Sequence, residues 1–243
     1  MLFIKPIEPL GRNIECLTLT KKFFDHNAID PKKEKLFSSF LNYQNKPIQY
    51  MDQVHKHSVE AVSSVSPPIK TTDALISTSN DIVLSAVSAD CLPITISKQD
   101  GSAFAIIHAG WKGLISGVIQ SCISSFTKDK VHLSAWIGPS ISKKYYEVDK
   151  VFYDAFLSSD KASLSNFNKI RSDKWLFSLQ GEAQRILKKY DVEVQDSNLC
   201  TFENQDLFYS YRRNQTNNRL LTCLLYTSPS PRDVEESRMP SSA

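Results

Sequence analysis

The sequence lacks the long apolar runs and the paired cysteines that mark several classes of protein. No window reaches the roughly 20 apolar residues that span a bilayer, and the N-terminal residues contain no apolar segment of signal-peptide length. The five cysteines show no short paired spacing, and their odd number argues against a disulfide framework. We therefore expect a soluble, unexported protein of the reducing cytoplasm.

The sequence also lacks a strong excess of one charge. The formal net charge is +3 over 243 residues, and the lysines are scattered along the chain. A nucleic-acid-binding protein commonly carries a basic stripe or face, which the sequence does not show. We expect neither nucleic acid nor a membrane as a partner, while small anionic or polar ligands stay open.

The order of apolar patterns predicts one α+β domain. Short β-branched runs bounded by Asp, Gly and Pro predict strands, and these runs outnumber the segments with helical spacing. Because strands and helices do not alternate strictly, an α+β domain is favoured over a doubly wound parallel sheet. Residues 1–226 are assigned to this single domain, and residues 227–243, rich in Ser, Pro and charge, are expected to form a disordered, non-native tail.

Local patterns predict three further elements. Leu114 to Phe126 carries apolar residues at three- and four-residue spacing, which predicts an amphipathic helix starting at Trp111–Gly113. Ser178 fits the N-cap position of another helix. The aromatic run Leu207 to Tyr211 is interpreted as a strand.

Two predicted strands end in residues that can react or bind a metal. One apolar run leads to Asp90 and Cys91, and the next leads to His108. Pro93 has no N–H to donate in a central ladder, so we expect a bend or bulge just after Cys91. The two strand ends then present a thiol and an imidazole.

His55 joins Cys91 and His108 as a third candidate zinc ligand. Neutral imidazole and thiolate are donors that zinc prefers, but the three residues are far apart in sequence, without a short CxxC or HxxxH pairing. Spacing alone therefore leaves two alternatives open, a cysteine that only packs and histidines that only form hydrogen bonds.

Several short blocks resemble one protein family over roughly residues 45–225. The blocks are Gln53-Val-His55, Thr72-Asp-Ala74, Ala89-Asp-Cys-Leu-Pro-Ile94, His108-Ala-Gly-Trp-Lys-Gly113 and Phe208-Tyr-Ser-Tyr-Arg-Arg213. By these blocks the chain resembles the YfiH-type family, long labelled polyphenol oxidase or laccase and now described as zinc-dependent purine nucleoside phosphorylase.

The resemblance implies a zinc ion bound by His55, Cys91 and His108, with a fourth position left for water or substrate as in catalytic zinc sites. It implies a central β-sandwich of mixed sheets flanked by helices. It also implies phosphorolysis of purine nucleosides such as adenosine, inosine and methylthioadenosine to the base and ribose 1-phosphate, with adenosine deamination as an accompanying activity. Purine nucleoside and phosphate are the implied partners, and the oligomeric state stays open.

Several residues are candidates for catalysis or binding beside the ligand histidines. Asp73, Asp90 and Cys91 are the candidate catalytic residues. The carboxylate of Asp73 or Asp90 can orient a metal-bound imidazole or carry a proton. The alternative for each Asp is that it only caps a turn. Lys112 and nearby backbone N–H groups are predicted to bind phosphate at a helix N-terminus. Trp111 is a candidate for stacking on a purine or for a core or lid role. Arg212 and Arg213 are candidate ligands of phosphate or ribose, with surface ion pairing as the alternative.

Residues 1–50 depart from the family pattern. Segment 17–50 is shorter than usual and contains neither a Thr-Arg-x-Gly-Gly block nor an Asn-Leu-Gly-x-His-Val-Gly-Asp stretch. A lysine-rich helix is predicted from Lys32 to about Leu41 and is interpreted as a solvated face. This part of the sequence therefore identifies no site residue.

Three other interpretations stay open. A metal-independent cysteine hydrolase would use Cys91 as nucleophile and His108 as base, and it would not need His55. A copper-dependent polyphenol oxidase can place one copper ion on these ligands, but the several copper centres of a laccase need far more than five histidines. A binding protein without activity is the third.

Overall fold

The computed structural model describes residues 1–38, 42–43, 45–126 and 132–227. Two six-stranded sheets pack face to face, and helices cover the outer face of one of them. This confirms the α+β class and the sandwich of mixed sheets flanked by helices. The expected tail beyond Thr227 and the predicted helix end near Leu41 lie outside the described residues.

The described strands and helices are numbered in chain order. The strands are β1 Phe3–Ile4, β2 Ile14–Leu19, β3 Asn42–Tyr43, β4 Lys46–Gln49, β5 Met51–Asp52, β6 Val59–Ala61, β7 Ile69–Lys70, β8 Ala74–Ser77, β9 Val83–Ser88, β10 Leu92–Lys98, β11 Phe104–Ala109, β12 Leu133–Ile137, β13 Glu147–Asp149, β14 Phe167–Arg171, β15 Lys174–Phe177, β16 Glu193–Asp196 and β17 Leu220–Tyr226. The α-helices are α1 Lys21–His26, α2 Lys33–Ser38, α3 Trp111–Ser116, α4 Val118–Ser125, α5 Lys150–Ser159, α6 Leu179–Lys189 and α7 Tyr211–Asn214, with 3₁₀ helices at Lys143–Tyr145 and Lys161–Asn166. None of these helices has the length and hydropathy needed to cross a lipid bilayer.

The two large sheets are both mixed. The first has the strand order β1-β2-β17-β9-β4-β3, and the second has the order β16-β12-β10-β11-β8-β6. Most neighbours are antiparallel, whereas β4 with β9, β12 with β16 and β6 with β8 are parallel. Strand β9 belongs to the first sheet and β10 to the second, so the chain crosses between sheets in the turn that contains Asp90 and Cys91.

Strand β11 shows how one apolar run serves two layers. Its side chains alternate in direction, so Phe104 and Ile106 pack between the sheets while Ala105 and Ile107 pack against the helices. Both faces of the strand are buried, which explains why the run is apolar throughout. His108 follows Ile106 on the sandwich face, and there an imidazole replaces the apolar side chain.

The predicted bend after Cys91 is wrong. Pro93 lies inside β10, a central strand, and its carbonyl accepts a hydrogen bond from the N–H of Gly138. The proline is tolerated because the pairing of β10 with β12 begins one residue later, at Ile94. The irregular backbone comes before the thiol instead, at Asp90, whose φ is 96°.

Two other local predictions also fail, and one is confirmed. The segment Leu114 to Phe126 is not one helix, because α3 ends and α4 begins at Gly117, whose φ of 86° suits glycine. The aromatic run Leu207 to Tyr211 is not a strand and leads through turns into α7. Ser178 does cap α6, where its side chain accepts a hydrogen bond from the N–H of Gly181.

A buried carboxylate ties α6 to the preceding 3₁₀ helix. Glu182 is 3% exposed, and its carboxylate accepts hydrogen bonds from Ser163, Asn166 and Arg185. Arg185 also pairs with Asp160 at 2.8 Å. Both carboxylate oxygens of Glu182 are engaged, so the buried charge is compensated, and its removal leaves several polar partners unsatisfied.

We expect Glu182→Ala to lower the free energy of unfolding by about 3 kcal/mol, because the partners of a deleted buried charge keep their desolvation cost. Urea denaturation followed by circular dichroism measures the change. The matched control is Asp154→Ala, which removes an exposed pair with Lys150 and should change stability only slightly. Equally small losses in both variants would contradict the role given to Glu182.

Candidate metal centre

The three candidate ligands His55, Cys91 and His108 come together in space. One nitrogen of each imidazole and the Cys91 sulfur lie within 4.8 Å of one another, and this is the one such group of donors in the described part of the chain. The Cys91 Sγ atom lies 3.9 Å from Nε2 of His55. Bond lengths of ~2.3 Å to sulfur and ~2.0 Å to nitrogen place two ligand atoms of tetrahedral zinc roughly 3.5 Å apart, so the observed spacing fits a metal with little rearrangement.

A different element positions each ligand. His55 lies in the loop after β5 with a φ of 61°, Cys91 lies in the crossing from β9 to β10, and His108 lies inside β11. Gln53 fixes the first of these segments to β9, because its side-chain amide both donates to the carbonyl and accepts from the N–H of Val87. The sequence assigned no role to Gln53, and only the fold shows it as the residue that holds the His55 loop against a strand.

Asp73 connects two of the ligands. Its buried carboxylate accepts hydrogen bonds from the backbone N–H groups of Val54, His55 and Lys56. One of its oxygens also lies 2.9 Å from Nδ1 of His108. Asp73 therefore closes the His55 loop and orients the His108 ring, which leaves Nε2 of His108 as the nitrogen available to a metal.

The same contacts set the proton affinities of the site. Burial alone would raise the pKa of Asp73, but hydrogen bonds from His108 and from the backbone lower it. For His108, burial favours the neutral ring, yet Asp73 and Cys91 outweigh burial and raise the pKa to about 9. Burial also opposes ionisation of Cys91, and His108 followed by His55 lowers the pKa of this thiol to about 6. Without a metal, each group thus favours the charged form of the other, a thiolate beside an imidazolium.

Asp90 precedes Cys91, but its carboxylate is engaged elsewhere. One oxygen accepts a hydrogen bond from the Thr201 hydroxyl at 2.6 Å. The other accepts from the Ser210 hydroxyl at 3.1 Å and from the backbone N–H of Arg212 at 2.7 Å. The two candidate carboxylates thus have different partners. Asp73 forms hydrogen bonds with the segments that carry His55 and His108, whereas Asp90 forms them with a segment distant in sequence.

A cavity of about 470 Å³ borders the three ligands, which is an ordinary volume for a small-molecule site. Its cationic side chains are Lys33, Arg212 and Arg219. Among the described residues that line it, Asp90 is the one carboxylate, and that group already accepts three hydrogen bonds. The balance of charge around the cavity therefore suits an anionic ligand.

The candidate binding residues divide into two groups. Trp111 and Arg212 line the cavity, and the Arg212 guanidinium lies 4.9 Å from the centre of the Tyr146 ring. Lys112 is exposed, with Nζ 5.5 Å from the Trp111 ring, and does not line the cavity. The structure therefore does not bring Lys112 together with the ligand cluster.

Two cations of the cavity come from positions that the sequence did not assign to a site. Lys33 lies on α2, which the sequence indicated as a solvated face. A bridge between Lys32 and Asn218 sets α2 beside the segment that carries Arg219. Only this tertiary pairing brings the two cations to one cavity, so no local pattern signals it.

Because Gly110 has no side chain, the His55 ring and the Cys91 sulfur can lie close to its backbone. A Cβ atom at this position would lie 2.8 Å from Cδ2 of His55 and 3.1 Å from Sγ of Cys91. Both distances are shorter than normal packing allows, so any side chain here would displace a ligand. The glycine of the His-Ala-Gly-Trp block is thus explained by close approach and not by a turn.

Fold and site together define this protein as an α+β sandwich that gathers two histidines and a cysteine beside a cation-lined cavity. A family model described as multi-copper polyphenol oxidoreductase laccase matches residues 15–226. The chain belongs to this family, which is the YfiH-type family that its sequence blocks resemble.

Relatives of the chain carry a different name from that description. The purine nucleoside phosphorylase YfiH of Escherichia coli strain K12 is 30% identical over 197 residues, covering 81% of this chain and 79% of the relative. The purine nucleoside phosphorylase RP494 of Rickettsia prowazekii is 31% identical over 179 residues, covering 72% and 75%.

Solved structures share the fold. Protein NMB0706 of Neisseria meningitidis superposes with a TM-score of 0.81 at 25% identity, covering 94% of this chain and 100% of the other. YlmD from Geobacillus stearothermophilus superposes with a TM-score of 0.75 at 16% identity, covering 94% and 97%. The sandwich of this chain is therefore shared with both solved structures over nearly the whole of each chain.

We expect Gly110→Ala to weaken Zn²⁺ binding by about tenfold or more, because the added methyl must displace the His55 ring or the Cys91 sulfur. The backbone there is extended, so alanine itself adds no strain. Competition of the protein with a chelating dye measures the affinity. The control is Gly113→Ala in α3, whose Cβ would meet the Lys56 carbonyl at 3.3 Å and the backbone carbonyl of His108 at 3.8 Å, but no ligand side chain. Equal Zn²⁺ affinities in the two variants would contradict the conclusion that Gly110 leaves space for the His55 and Cys91 side chains.

Proposed function

We propose that this protein is a zinc-dependent purine nucleoside phosphorylase acting on adenosine, inosine and methylthioadenosine, with adenosine deamination as an accompanying activity. The observation that carries the proposal is the cluster of His55, Cys91 and His108 bordering a cation-lined cavity. The names of the relatives support the reaction class.

The donor set supports zinc as the metal. Two imidazoles and a thiolate are the ligands that this borderline-soft ion favours, and three protein ligands are the number found in catalytic zinc sites. The hydrogen bond that Nδ1–H of His108 donates to the Asp73 carboxylate is the outer contact that metal-bound imidazoles usually have. A bound zinc ion would supply Lewis acidity or lower the pKa of a bound water. In this proposal Cys91 serves as a ligand, and Asp73 holds the two histidines in place.

The cavity supports a nucleoside together with phosphate. Trp111 and Tyr146 provide aromatic surfaces against which a purine can pack. Arg212 and Arg219 each donate to backbone carbonyls through Nη1, and the other N–H groups of their guanidinium groups have no hydrogen-bond partner within the described residues. Lys33 adds a third positive charge, and it also pairs with Asp52 at 2.9 Å. These donors suit a doubly charged oxyanion.

The proposed reaction assigns the anion a direct role. A phosphate oxygen bonds to C1′ of the ribose, and the bond from C1′ to N9 breaks with its electron pair. The purine takes up a proton, and ribose 1-phosphate is formed. The cationic side of the cavity would hold the attacking phosphate. The bound nucleoside would occupy the remaining volume of the cavity and so exclude competing water.

We expect Arg212→Met and Arg219→Met each to raise the KM for phosphate by about tenfold or more, because a charge-assisted hydrogen bond to the anion is lost. Initial rates of base release at varied phosphate concentration measure this. Lys112→Met is the matched control, since Lys112 is a cation near the site that does not line the cavity. A larger effect in the Lys112 variant than in the arginine variants would move the phosphate to the N-terminus of α3.

One observation favours a second candidate function. Cys91, His108 and Asp73 form a thiolate, imidazole and carboxylate array of the kind that cysteine hydrolases use. His55 has no task in such an array, whereas a zinc site needs it. The behaviour of His55 therefore separates the two candidates.

A laccase with several copper centres does not fit the donors. The other three histidines, His26, His57 and His132, are exposed and stand outside the donor group of the described residues. A single copper ion on the three ligands is an outcome that metal analysis of the purified protein decides. The sequence argument about the small number of histidines is thus supported by their placement.

We expect His55→Ala, Cys91→Ala and His108→Ala each to lose both bound zinc and base release, because each removes one of three ligands. Metal analysis and chromatography of the adenosine reaction, with and without phosphate, measure the two losses. Iodoacetamide should label Cys91 slowly in the zinc-loaded protein and faster after chelation, since zinc neutralises the thiolate.

The control for the ligand variants is His57→Ala, which changes a neighbouring exposed histidine outside the cluster. It should keep zinc and activity. A His55→Ala variant with full activity, together with rapid alkylation of Cys91 without chelator and inactivation that tracks labelling, would replace the phosphorylase by the cysteine hydrolase.

A further inference from the structure

Asp90 combines an unusual backbone with a fully engaged side chain. Its φ of 96° lies in a region that residues with a side chain rarely adopt, and its carbonyl accepts a hydrogen bond from the N–H of Ile141 at 3.0 Å. Such a conformation persists where the surrounding structure holds it, and it is common at functional sites. The next residue is Cys91, so whatever holds Asp90 also fixes the position of the thiol.

The side chain of Asp90 is held by one distant segment of chain, residues 201–212. Its carboxylate accepts hydrogen bonds from Thr201, Ser210 and the backbone N–H of Arg212, at 2.6, 3.1 and 2.7 Å. Hydrogen bonds to an ionised group are among the stronger ones in proteins. A single carboxylate thus joins the crossing between the two sheets to a segment more than a hundred residues away.

Arg213 stabilises the same segment from within. Its guanidinium donates to the carbonyls of Thr201, Phe202 and Phe208, and its backbone N–H donates to the Ser210 side chain. This explains why the sequence run around Leu207 folds into turns and not into a strand. The segment is therefore compact, and Asp90 sets where it stands relative to the ligand cluster.

The Arg212 side chain extends from this segment to the cavity. Its guanidinium donates to the carbonyl of Glu147 at 3.0 Å and lies over the Tyr146 ring, while Asp90 holds its backbone N–H. The backbone of Asp90 leads directly to the ligand Cys91, and its side chain leads to the cation Arg212. Asp90 thus connects the candidate metal ligand Cys91 with the cationic side chain of Arg212 at the same cavity.

We propose that Asp90 is a positioning residue that sets the placement of Arg212 relative to the ligand Cys91, and that it does not transfer a proton. Both of its oxygens already accept hydrogen bonds from the segment that carries Arg212. Its effect on the reaction passes through the placement of the anion-binding side chain. The identity of the anion rests on the proposed function, whereas the coupling of the two segments rests on the hydrogen bonds alone.

The test compares Asp90→Gly with Asp90→Asn. Glycine adopts the observed φ without strain but removes the carboxylate, so this variant separates backbone conformation from side-chain contact. Asparagine keeps one oxygen for the N–H of Arg212, and the Thr201 hydroxyl can accept from its amide. Hydrogen–deuterium exchange of the peptide containing Arg212, zinc content, and KM and kcat for inorganic phosphate are measured in each.

For Asp90→Gly we expect the Arg212 amide to exchange about tenfold faster or more, and the KM for phosphate to rise by a similar factor, with kcat at saturating phosphate and zinc content nearly unchanged. Asp90→Asn should recover most of both losses. Thr201→Val, which removes one of the three hydrogen bonds and leaves Asp90 in place, should change both quantities in the same direction by less.

Two results overturn the proposal. One is an Asp90→Gly protein whose Arg212 amide exchanges like that of the unaltered protein. The other is a loss of kcat at unchanged KM for phosphate, which would place Asp90 on the reacting atoms. If the unaltered protein shows no phosphorolysis, the exchange comparison still decides, so failure of the proposed function and failure of the positioning role are distinguishable.

Discussion

The buried carboxylate of Asp73 is the interaction on which the candidate site depends. A carboxylate removed from water is costly unless hydrogen-bond donors compensate its charge, and here the donors are three backbone N–H groups of the His55 loop and the imidazole of His108. The groups that stabilise Asp73 are therefore the groups that carry two of the candidate metal ligands. Folding of the loop and orientation of the ligands are consequences of one compensated charge.

The sandwich supplies the third ligand through its topology. Strands β9 and β10 lie in different sheets, and the chain must pass from one to the other within a few residues. That crossing places Cys91 beside the end of β11, where His108 interrupts an otherwise apolar strand. The strained backbone at Asp90 is part of the crossing. The position of the Cys91 thiol therefore depends on how the two sheets pack against each other.

The two names attached to this family show why fold does not decide chemistry. The family is described as a copper oxidoreductase, while relatives of the chain are named purine nucleoside phosphorylases. The donor set and the charge of the cavity carry more information than the sandwich does. Among the described residues, one His-Cys-His group lies beside three cations, which fits one metal site and not a chain of redox centres.

The sequence by itself determined the α+β class and the cap at Ser178, and it predicted the candidate ligand set of His55, Cys91 and His108, which the structure brings together. Class and cap follow from periodicity and local hydrogen bonding, which act over a few residues. The ligand set was predicted from family blocks, because its long spacing has no local signature. The bend at Pro93 was predicted wrongly, since the register with β12, which makes that proline harmless, is a property of the sheet.

Only the tertiary structure decided which charged residues act together. Asp73 and Asp90 look alike in sequence, as carboxylates beside short strands, yet one accepts hydrogen bonds from the ligand loop and the other from the segment carrying Arg212. Lys33 and Arg219 reach one cavity through a bridge between distant segments. The physical reason is the same in each case: the role of a charged group is set by the donors and acceptors around it, and these come from parts of the chain that only folding brings together.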